Sequence, residues 1–285
     1  MPIGARIGRF RPSLLGTALT IAGCAAFVRL GQWQWDRGVH SQQEWDAFAR
    51  GADAAVPAPA DLDASPRFQR VRLTGHYDAA HQFLLDNRTH AGLAGYEVLT
   101  PFLLTDGRAL LVDRGWVPFT GYRAQLPDIR LRGAAGPAPV AGPAPAVGSA
   151  PAVGSAPAGR TSTPTAGSSA AAPADAALTG RLDLLPTPGL ALGRAPPPLE
   201  GSWPKVTSYP DMGQLQRALG TALAARLAGR ILLLDPAAPD GYVRDWQPPG
   251  LPPLRHFCYA VQWWGFAVTA VVLWVIIGIR RGRSS

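Results

Sequence analysis

One stretch near the C-terminal end restricts the fold of this chain more than any other. Residues 257 to 279 are 23 consecutive residues without a formal charge. As an α-helix with a rise of about 1.5 Å per residue, they would measure about 34 Å, which is enough to cross the hydrocarbon core of a bilayer. His256 stands directly before this stretch, and arginines at 280, 281 and 283 follow it. The stretch predicts a transmembrane helix.

A second apolar segment lies near the N-terminal end, at residues 13 to 30. Arg6, Arg9 and Arg11 precede it, and its apolar core is short. A basic start and a short apolar core are typical both of a first transmembrane helix and of a signal peptide. A third alternative is a lipoprotein cleavage site, because residues 21 to 24, Ile-Ala-Gly-Cys, would leave a lipidated Cys24 as the first residue of the mature protein.

If both segments span a membrane, the arginines predict the orientation. Positive residues favour the cytoplasmic side, so residues 1 to 12 and 280 to 285 are expected in the cytoplasm and the chain between the spans outside it. The formal charge of +8 comes almost wholly from arginine, since Lys205 is the single lysine. These arginines are scattered and no nucleic-acid motif occurs, so the sequence predicts a lipid bilayer, and no nucleic acid, as partner.

The region between the spans predicts an extracytoplasmic α+β domain with an antiparallel sheet or small barrel. Apolar and polar residues alternate in several short runs, as in half-buried strands. Strands are expected at 68–75, 82–86, 96–104, 109–117, 177–185 and 230–235, with a hairpin turn at 105–107. Asp211 is a predicted N-cap for a helix from 212 to about 228, which Gly229 would end.

A segment of different composition interrupts this domain at residues 133 to 177. Ala, Pro, Gly and Ser dominate it, and Pro-Ala-Val-Gly-Ser-Ala occurs twice in tandem at 145–150 and 151–156. Such a composition cannot bury enough apolar surface to offset its ordering entropy, so a disordered insertion is predicted. The insertion divides the domain into a first part, residues 31–132, and a second part, residues 178–255.

Residues that could perform catalysis or bind copper are scarce. The five histidines show no metal-ligand spacing, and the two cysteines, Cys24 and Cys258, form no CxxC pair. Met1 and Met212 are the only thioethers, and Cu(I) carriers favour such soft ligands. The sequence therefore disfavours an enzyme and a copper carrier, and predicts no metal site built from clustered Cys, Met or paired His.

His256 is the strongest candidate for a ligand-binding residue. A helix advances 100° per residue, so Tyr259, Ala260, Trp263 and Ala267 lie on or near its face. Small and flat residues alternate there, which would leave room for a planar apolar ligand whose iron the imidazole coordinates. The alternative is an interfacial histidine that bonds to backbone or lipid headgroups.

The helix that emerges from the first span supplies a possible second wall for this site. Its candidate residues are Trp33, Gln34 and Arg37. The alternative is that Trp33 and Trp35 are only interfacial anchors, where amphipathic rings are stable.

Four motifs in order, flanked by the two spans, resemble the surfeit locus protein family, surfeit-1 type. The resemblance extends from about residue 14 to residue 279 outside the insertion. The motifs are Leu-Gly-Gln-Trp-Gln-Trp-Asp-Arg at 30–37, Leu-Asp-Asn-Arg at 85–88 with Gly-Tyr-Glu-Val-Leu-Thr-Pro-Phe at 95–102, Leu-Val-Asp-Arg-Gly-Trp-Val-Pro at 111–118, and His256 with Tyr-Ala-Val-Gln-Trp at 259–263.

The resemblance implies a function in the assembly of haem-copper cytochrome c oxidase. It implies that the protein holds or hands over haem A for insertion into the catalytic subunit, with the haem A synthesis machinery as a further partner. By the resemblance, His256 matches the proposed haem ligand. A bacterial plasma membrane is expected, because no mitochondrial presequence of ordinary length precedes the first apolar segment. The motif residues in the domain are expected to be structural or partner-binding: Asn87, Arg88, Gly95, Tyr96, Arg114, Gly115 and Trp116. The alternative is a scaffold for the oxidase that binds no cofactor.

Overall fold

A computed structural model describes residues 10–51, 54–131, 175–187 and 194–283 of the 285-residue chain. The chain divides into two compact units, residues 1–53 with 246–285 and residues 54–245. In chain order the elements are α1 Leu14–Arg50, β1 Val56–Pro57, β2 Arg70–Tyr77, β3 Phe83–His90, β4 Leu93–Leu104, β5 Ala109–Pro118, β6 Ala176–Asp183, β7 Lys205–Thr207, α2 Met212–Leu219, α3 Thr221–Ala224, β8 Leu227–Leu234 and α4 Pro253–Arg283.

The first unit is a pair of long antiparallel helices, α1 and α4. Both are long and apolar enough to cross a bilayer. α1 corresponds to the span expected at 13–30, and α4 to the span expected at 257–279. At one end the backbone amide of Arg11 donates to Gly278 O at 3.0 Å. At the other end Ser41 Oγ donates to Leu251 O at 2.9 Å. As expected, α1 continues beyond residue 30 to Arg50, and this extension packs against the start of α4.

The residues of α1 that meet α4 recur every seven positions. Phe27, Gln34 and Ser41 form one row; the first two contact α4, and Ser41 contacts Leu251 just before α4 begins. A second row makes hydrogen bonds or close ring contacts with α4 and consists of Thr17, Cys24, Gly31 and Gly38. Two such rows form a heptad pattern, in which one stripe of each helix faces its partner over many turns.

Two glycines allow the helices to approach closely. A Cβ atom added at Gly31 would lie 2.3 Å from Trp264 Nε1, and one added at Gly38 would lie 2.7 Å from a ring carbon of Phe257. Trp35 packs against the same two rings, with ring centroids 4.9 Å from Phe257 and 5.8 Å from Trp264. The aromatic rings of α4 therefore fit into the space that the missing side chains leave.

The second unit is built on a five-stranded barrel. Its strands pair in the order β2, β6, β8, β5 and β4, and β4 pairs with β2 to close the ring. β3 and β7 extend the sheet beyond β4, while the short β1 lies against β2. Alternate residues of all five barrel strands point inward and form its core, as the period of two requires. These core residues are Val71, Leu73, Leu178, Leu182, Leu232, Leu234, Leu110, Val112, Phe102 and Leu104.

The expected small barrel is confirmed, but an antiparallel sheet is only partly right. β5 pairs with β8 in parallel, and so do β1 with β2 and β3 with β7. α2 and α3 stand between β7 and β8, and this longer connection delivers β8 parallel to β5. Alternation along a strand records which side is buried, and it carries no information on the direction of the neighbouring strand.

The boundaries of two elements differ from the sequence expectation. The predicted helix from 212 to about 228 is interrupted and too long, because Gly220 adopts φ 81° and ψ 163° and ends α2 at Leu219, and the short α3 that follows ends at Ala224. Leu227 and Gly229 belong to β8 instead. β3 continues past residue 86 to His90, through a bulge and into a hairpin whose turn residues Ala91 and Gly92 both have positive φ.

The remaining sequence expectations for this unit have mixed outcomes. Asp211 caps α2 as expected, in a capping box with Gln214. The hairpin turn at 105–107 joins β4 and β5, with Gly107 at φ 88°. Most of the expected disordered insertion lies outside the described residues. β6 begins at Ala176, close to the expected end of the insertion.

Replacement of Gly31 by alanine should destabilise the helix pair. The added methyl group would overlap the indole of Trp264, and overpacking costs about 1–3 kcal/mol. Gly265→Ala is the matched control, because nothing lies within 4 Å of its added Cβ, and alanine favours a helix by about 1 kcal/mol. Thermal unfolding in detergent should give a lower midpoint for Gly31→Ala and an equal or higher one for Gly265→Ala. Equal midpoints for the two variants would contradict the close approach.

Candidate functional site

His256 lies in the first turn of α4, where its imidazole faces α1. Its Nδ1 lies 2.9 Å from Gln34 Oε1, and the two residues are 222 positions apart in sequence. An amide oxygen can only accept a hydrogen bond, so Nδ1 carries the proton in this pair. Among the described residues, Nε2 has no hydrogen-bond partner. This tautomer presents the Nε2 lone pair, which is the arrangement that proteins use for a metal-ligating histidine.

The face of α4 around His256 is more crowded than the sequence predicts. Ala260 is 0% and Ala267 is 8% exposed, because both face α1 in the helix pair. Protein therefore fills the space above these two small residues, and a flat ligand at His256 stays a prediction that would need another side of α4. Trp263 stacks on Phe27 with ring centroids 5.9 Å apart. Tyr259 is 46% exposed and borders His256 on the open flank of α4.

The three residues expected to form a second wall separate into two groups. Gln34 contacts His256, as described above. Trp33 is 56% exposed and Arg37 is also exposed, so both point away from the seam between the helices. Trp35 is the aromatic residue of this motif that packs against α4, on Phe257 and Trp264. The heptad spacing of Gly31, Gln34 and Gly38 is the sequence signal that selects these positions.

In the barrel unit, Arg114 is buried and surrounded by acceptors. Its side chain is 1% exposed. It donates to Asp240 O at 2.7 Å, to Ile129 O at 2.9 Å and to Gln82 Oε1 at 2.9 Å. Its guanidinium also lies 5.0 Å from the ring centroid of Tyr242. Burial lowers the pKa of Arg114, and these neutral oxygens stabilise the charge that burial disfavours.

This network gives Arg114 a structural function. The backbone carbonyls to which it donates belong to two loops, near residues 129 and 240. The planar guanidinium of Arg114 thereby holds both loops against β5. The next residue, Gly115, has φ 105°, and a Cβ there would lie 2.5 Å from Val243 O. Only glycine fits such a position without strain.

Three further motif residues also have structural contacts: Trp116, Gly95 and Tyr96. A Cβ at Gly95 would lie 2.5 Å from the indole of Trp116, so the ring lies directly on the glycine. Trp116 Nε1 donates to Arg88 O at 3.4 Å. Tyr96 is 1% exposed and packs in a hydrophobic cluster separate from the barrel core. Burial raises the pKa of its hydroxyl.

Asn87 and Arg88 lie at the surface of the barrel unit, where β3 bulges. Asn87 has φ 60°, and its amide group donates to Ser208 Oγ at 3.3 Å. With Gly95 they border a pocket of about 320 Å³. Arg123 closes one side of this pocket and bonds to Asp86 at 2.6 Å. The motif residues thus combine a structural core with one polar surface pocket.

Arg88 also contacts a carboxyl group inside the unit. Its Nε lies 2.9 Å from Glu97 Oε2, but the N–H is not directed at that oxygen, so the contact is an ion pair without a hydrogen bond. Asp113 is 2% exposed and accepts a hydrogen bond from Gly115 N at 2.9 Å. Burial first, and then the neighbouring Glu97, raise the pKa of Asp113 well above its ordinary value. Within the described ranges, no three His, Cys, Asp or Glu side chains come together as metal ligands.

Replacement of Arg114 by lysine should destabilise the barrel unit. Lysine can replace one donor but cannot reach all the acceptors, and each buried acceptor left unpaired costs about 1–3 kcal/mol. We expect a loss of about 3 kcal/mol in the free energy of unfolding, measured with denaturant. Arg123→Lys, at a side chain that is 73% exposed, should change it by less than about 0.5 kcal/mol. The structural role is refuted if both variants unfold at the same denaturant concentration.

The raised pKa of Asp113 predicts a pH dependence of stability. The folded state holds this proton more tightly than the unfolded chain. The group therefore favours folding most below the ordinary carboxyl pKa, and that contribution is lost as the pH rises through the folded pKa. Asp113→Asn keeps the acceptor for Gly115 N and cannot ionise, so its unfolding midpoint should fall less between pH 5 and pH 8 than that of the wild type.

A matched control for this experiment is Asp128→Asn. The hydrogen bond from Arg130 lowers the pKa of Asp128 to about 2, so this group does not titrate between pH 5 and pH 8. Its variant should keep the pH dependence of the wild type. A wild-type dependence in Asp113→Asn as well would show that Asp113 is ionised throughout this range.

Comparison with known proteins gives one consistent result. A sequence model described as the SURF1 family matches residues 21–268. Uncharacterised SURF1-like proteins of Mycobacterium bovis and of two strains of Mycobacterium tuberculosis are 31% identical over 116 residues. The match covers 38% of this chain and 43% of each relative, so the chain spans less than half the length of the curated relatives it matches.

The resemblance that the four sequence motifs indicate is confirmed by this match. The family is generally linked to cytochrome oxidase assembly, and it is a family of assembly factors rather than a known class of enzymes. Its model covers most of the sequence, from within α1 to within α4. The chain belongs to the SURF1 family.

Proposed function

We propose that this protein assists the assembly of cytochrome c oxidase by holding haem A at His256 and presenting it to the catalytic subunit. The observation that carries the proposal is the hydrogen bond between His256 Nδ1 and Gln34 Oε1. It fixes the tautomer, orients the ring and leaves Nε2 as the available nitrogen. Family membership supports a function in oxidase assembly, and the geometry of the helix pair supports His256 as the ligating residue.

The residues around His256 fit a large apolar ligand with one metal ion. Tyr259 and Trp263 follow His256 at positions i+3 and i+7 and therefore share its side of α4. Tyr259 is 46% exposed and could lie against such a ligand without rearrangement of the seam. Haem would contribute iron as a coordination partner for Nε2, while Gln34 keeps the imidazole in the ligating tautomer.

The same proposal includes the position of the protein in a bacterial plasma membrane. α1 and α4 would both span the bilayer, with both termini in the cytoplasm and the barrel unit outside it. The antiparallel pairing supports this arrangement, because it brings Arg11 and the arginines in the last turn of α4 to the same end of the helix pair. Intact mass of the mature protein distinguishes a full-length first span from cleavage before Cys24.

A second candidate function is that of a scaffold without cofactor, and the surface pocket of the barrel unit favours it. Asn87, Arg88 and Gly95 belong to the family motifs and border this pocket. A partner subunit could bind there without any haem. Co-purification of the oxidase catalytic subunit with haem-free protein, and its loss in an Asn87→Ala variant, would favour the scaffold over the haem carrier.

The haem proposal predicts different outcomes for substitutions at the two hydrogen-bonded residues. Full-length protein from a haem A-producing host should lose most of its haem in His256→Ala. Gln34→Leu should lower haem affinity by about 10–100-fold, because loss of a positioning partner has this effect at metal sites. Gln34→Glu should restore binding, since a carboxylate also accepts the Nδ1 proton. Haem content and the haem absorption spectrum are the measurements.

Gln32→Leu is the control for this series. Gln32 lies on the same helix two residues away and donates to Asp36 Oδ1 at 2.9 Å, outside the seam with α4. Its variant should keep the haem content and spectrum of the wild type. Equal haem in His256→Ala and in the wild type would reject His256 as the ligand.

A further inference from the structure

A groove runs between α1 and α4 near the chain termini. Its volume is about 430 Å³, which lies within the range of ligand pockets. The α1 wall contains Gly16 and Gly23, where the absence of side chains makes space. Large apolar side chains line the rest of the groove: Leu19, Phe27, Leu273, Trp274 and Ile277.

The polar groups in the walls of this groove are already satisfied. Thr20 Oγ1 donates to Gly16 O at 2.8 Å, and Trp274 Nε1 donates to Thr17 Oγ1 at 3.0 Å. Ser13 Oγ accepts a hydrogen bond from Gly16 N at 3.1 Å. An occupant of the groove therefore needs no hydrogen-bonding groups along most of its length, which favours a hydrocarbon chain.

One end of the groove has the opposite character. Arg281 lines it at the C-terminal end of α4, and Pro12 and Ser13 line it at the N-terminus of α1. Arg11 is adjacent, since its backbone amide bonds to Gly278 O. The partial positive charge at the N-terminal end of α1 is offset by the partial negative charge at the C-terminal end of α4, so the positive charge of this end comes from the arginines. The groove thus joins a long apolar channel to a single positive end.

We infer that this groove binds an anionic phospholipid, with an acyl chain between α1 and α4 and the phosphate at Arg281. The inference rests on the proposal that both helices span a membrane, and it concerns a different part of the helix pair from His256. Charge complementarity selects the ligand, because the one positive end matches a molecule with a single anionic headgroup and a long apolar tail. That end lies at the start of α1 and the last turn of α4, which the proposed topology places at the cytoplasmic leaflet, where anionic lipids are available.

The experiment uses the full-length protein in detergent and two probe lipids, dioleoyl phosphatidylglycerol and dioleoyl phosphatidylcholine. Native mass spectrometry counts bound lipids and gives their apparent affinities. Gly23→Leu fills the groove, because nothing lies within 4 Å of a Cβ at this position. Gly265→Leu is the matched control, since it adds the same side chain in equally open space on an exposed part of α4.

The headgroup end is tested with a second pair of variants. Arg281→Gln removes the arginine that lines the groove, and Arg280→Gln removes the same charge one residue away, outside the groove lining. Wild type should bind one phosphatidylglycerol in preference to phosphatidylcholine. Gly23→Leu should abolish this binding, Arg281→Gln should weaken it about fivefold, and both controls should bind as wild type does.

Three results would overturn the inference. The first is equal binding of the two lipids, and the second is unchanged phosphatidylglycerol binding in Gly23→Leu. The third is a dimer of the wild type that dissociates in Gly23→Leu while lipid binding stays the same, which would assign the groove to a second copy of the chain. Haem content separates this test from that of the proposed function. Gly23→Leu should keep haem, and His256→Ala should keep the lipid.

Discussion

The close approach of two helices at Gly31 and Gly38 is the constraint on which the membrane-compatible unit depends. Without side chains at these positions, α1 can accept the rings of Trp264 and Phe257 against its backbone. In a bilayer, helices gain little from burying apolar surface against each other, and packing at small residues and hydrogen bonds across the interface determine which faces meet. Gln34 lies midway between the two glycines, so the approach that they allow is also what brings its amide to His256.

The barrel unit depends on a different kind of interaction. Its interior is filled by leucine, valine and phenylalanine from alternate positions, and this pattern gives a closed barrel without specifying its loops. Arg114 fixes the positions of these loops. The directions of its N–H donors are fixed, and they bond to carbonyl and amide oxygens from distant parts of the chain. A buried arginine without a carboxylate partner is stable only when the surrounding oxygens compensate for lost water, which makes the loop positions and the charge mutually dependent.

The sequence predicts the parts of this structure that local patterns encode. Charge-free length identifies both long helices, period-two alternation identifies most barrel strands, and Asp211 marks the start of α2. A pattern that fits more than one local structure leads to errors. The leucines at 215, 219, 223 and 227 fit one continuous helix, yet Gly220 interrupts that helix and Leu227 begins a strand. Strand direction and barrel closure depend on pairings between distant segments, for which a single sequence holds no signal. At the candidate site, helical geometry places Tyr259 and Trp263 beside His256, but only the partner helix shows that Ala260 and Ala267 are covered and that Gln34, rather than Trp33, is the neighbour.

The hydrogen bond between Gln34 and His256 joins the two ends of the polypeptide, with the whole barrel unit encoded between them. A ribosome must therefore translate that unit before the second half of the pair exists. The ring of His256 acquires a defined tautomer only when the last helix has been made and has paired with the first. A truncated chain that ends before α4 lacks His256 altogether, so it can form neither this hydrogen bond nor the helix pair.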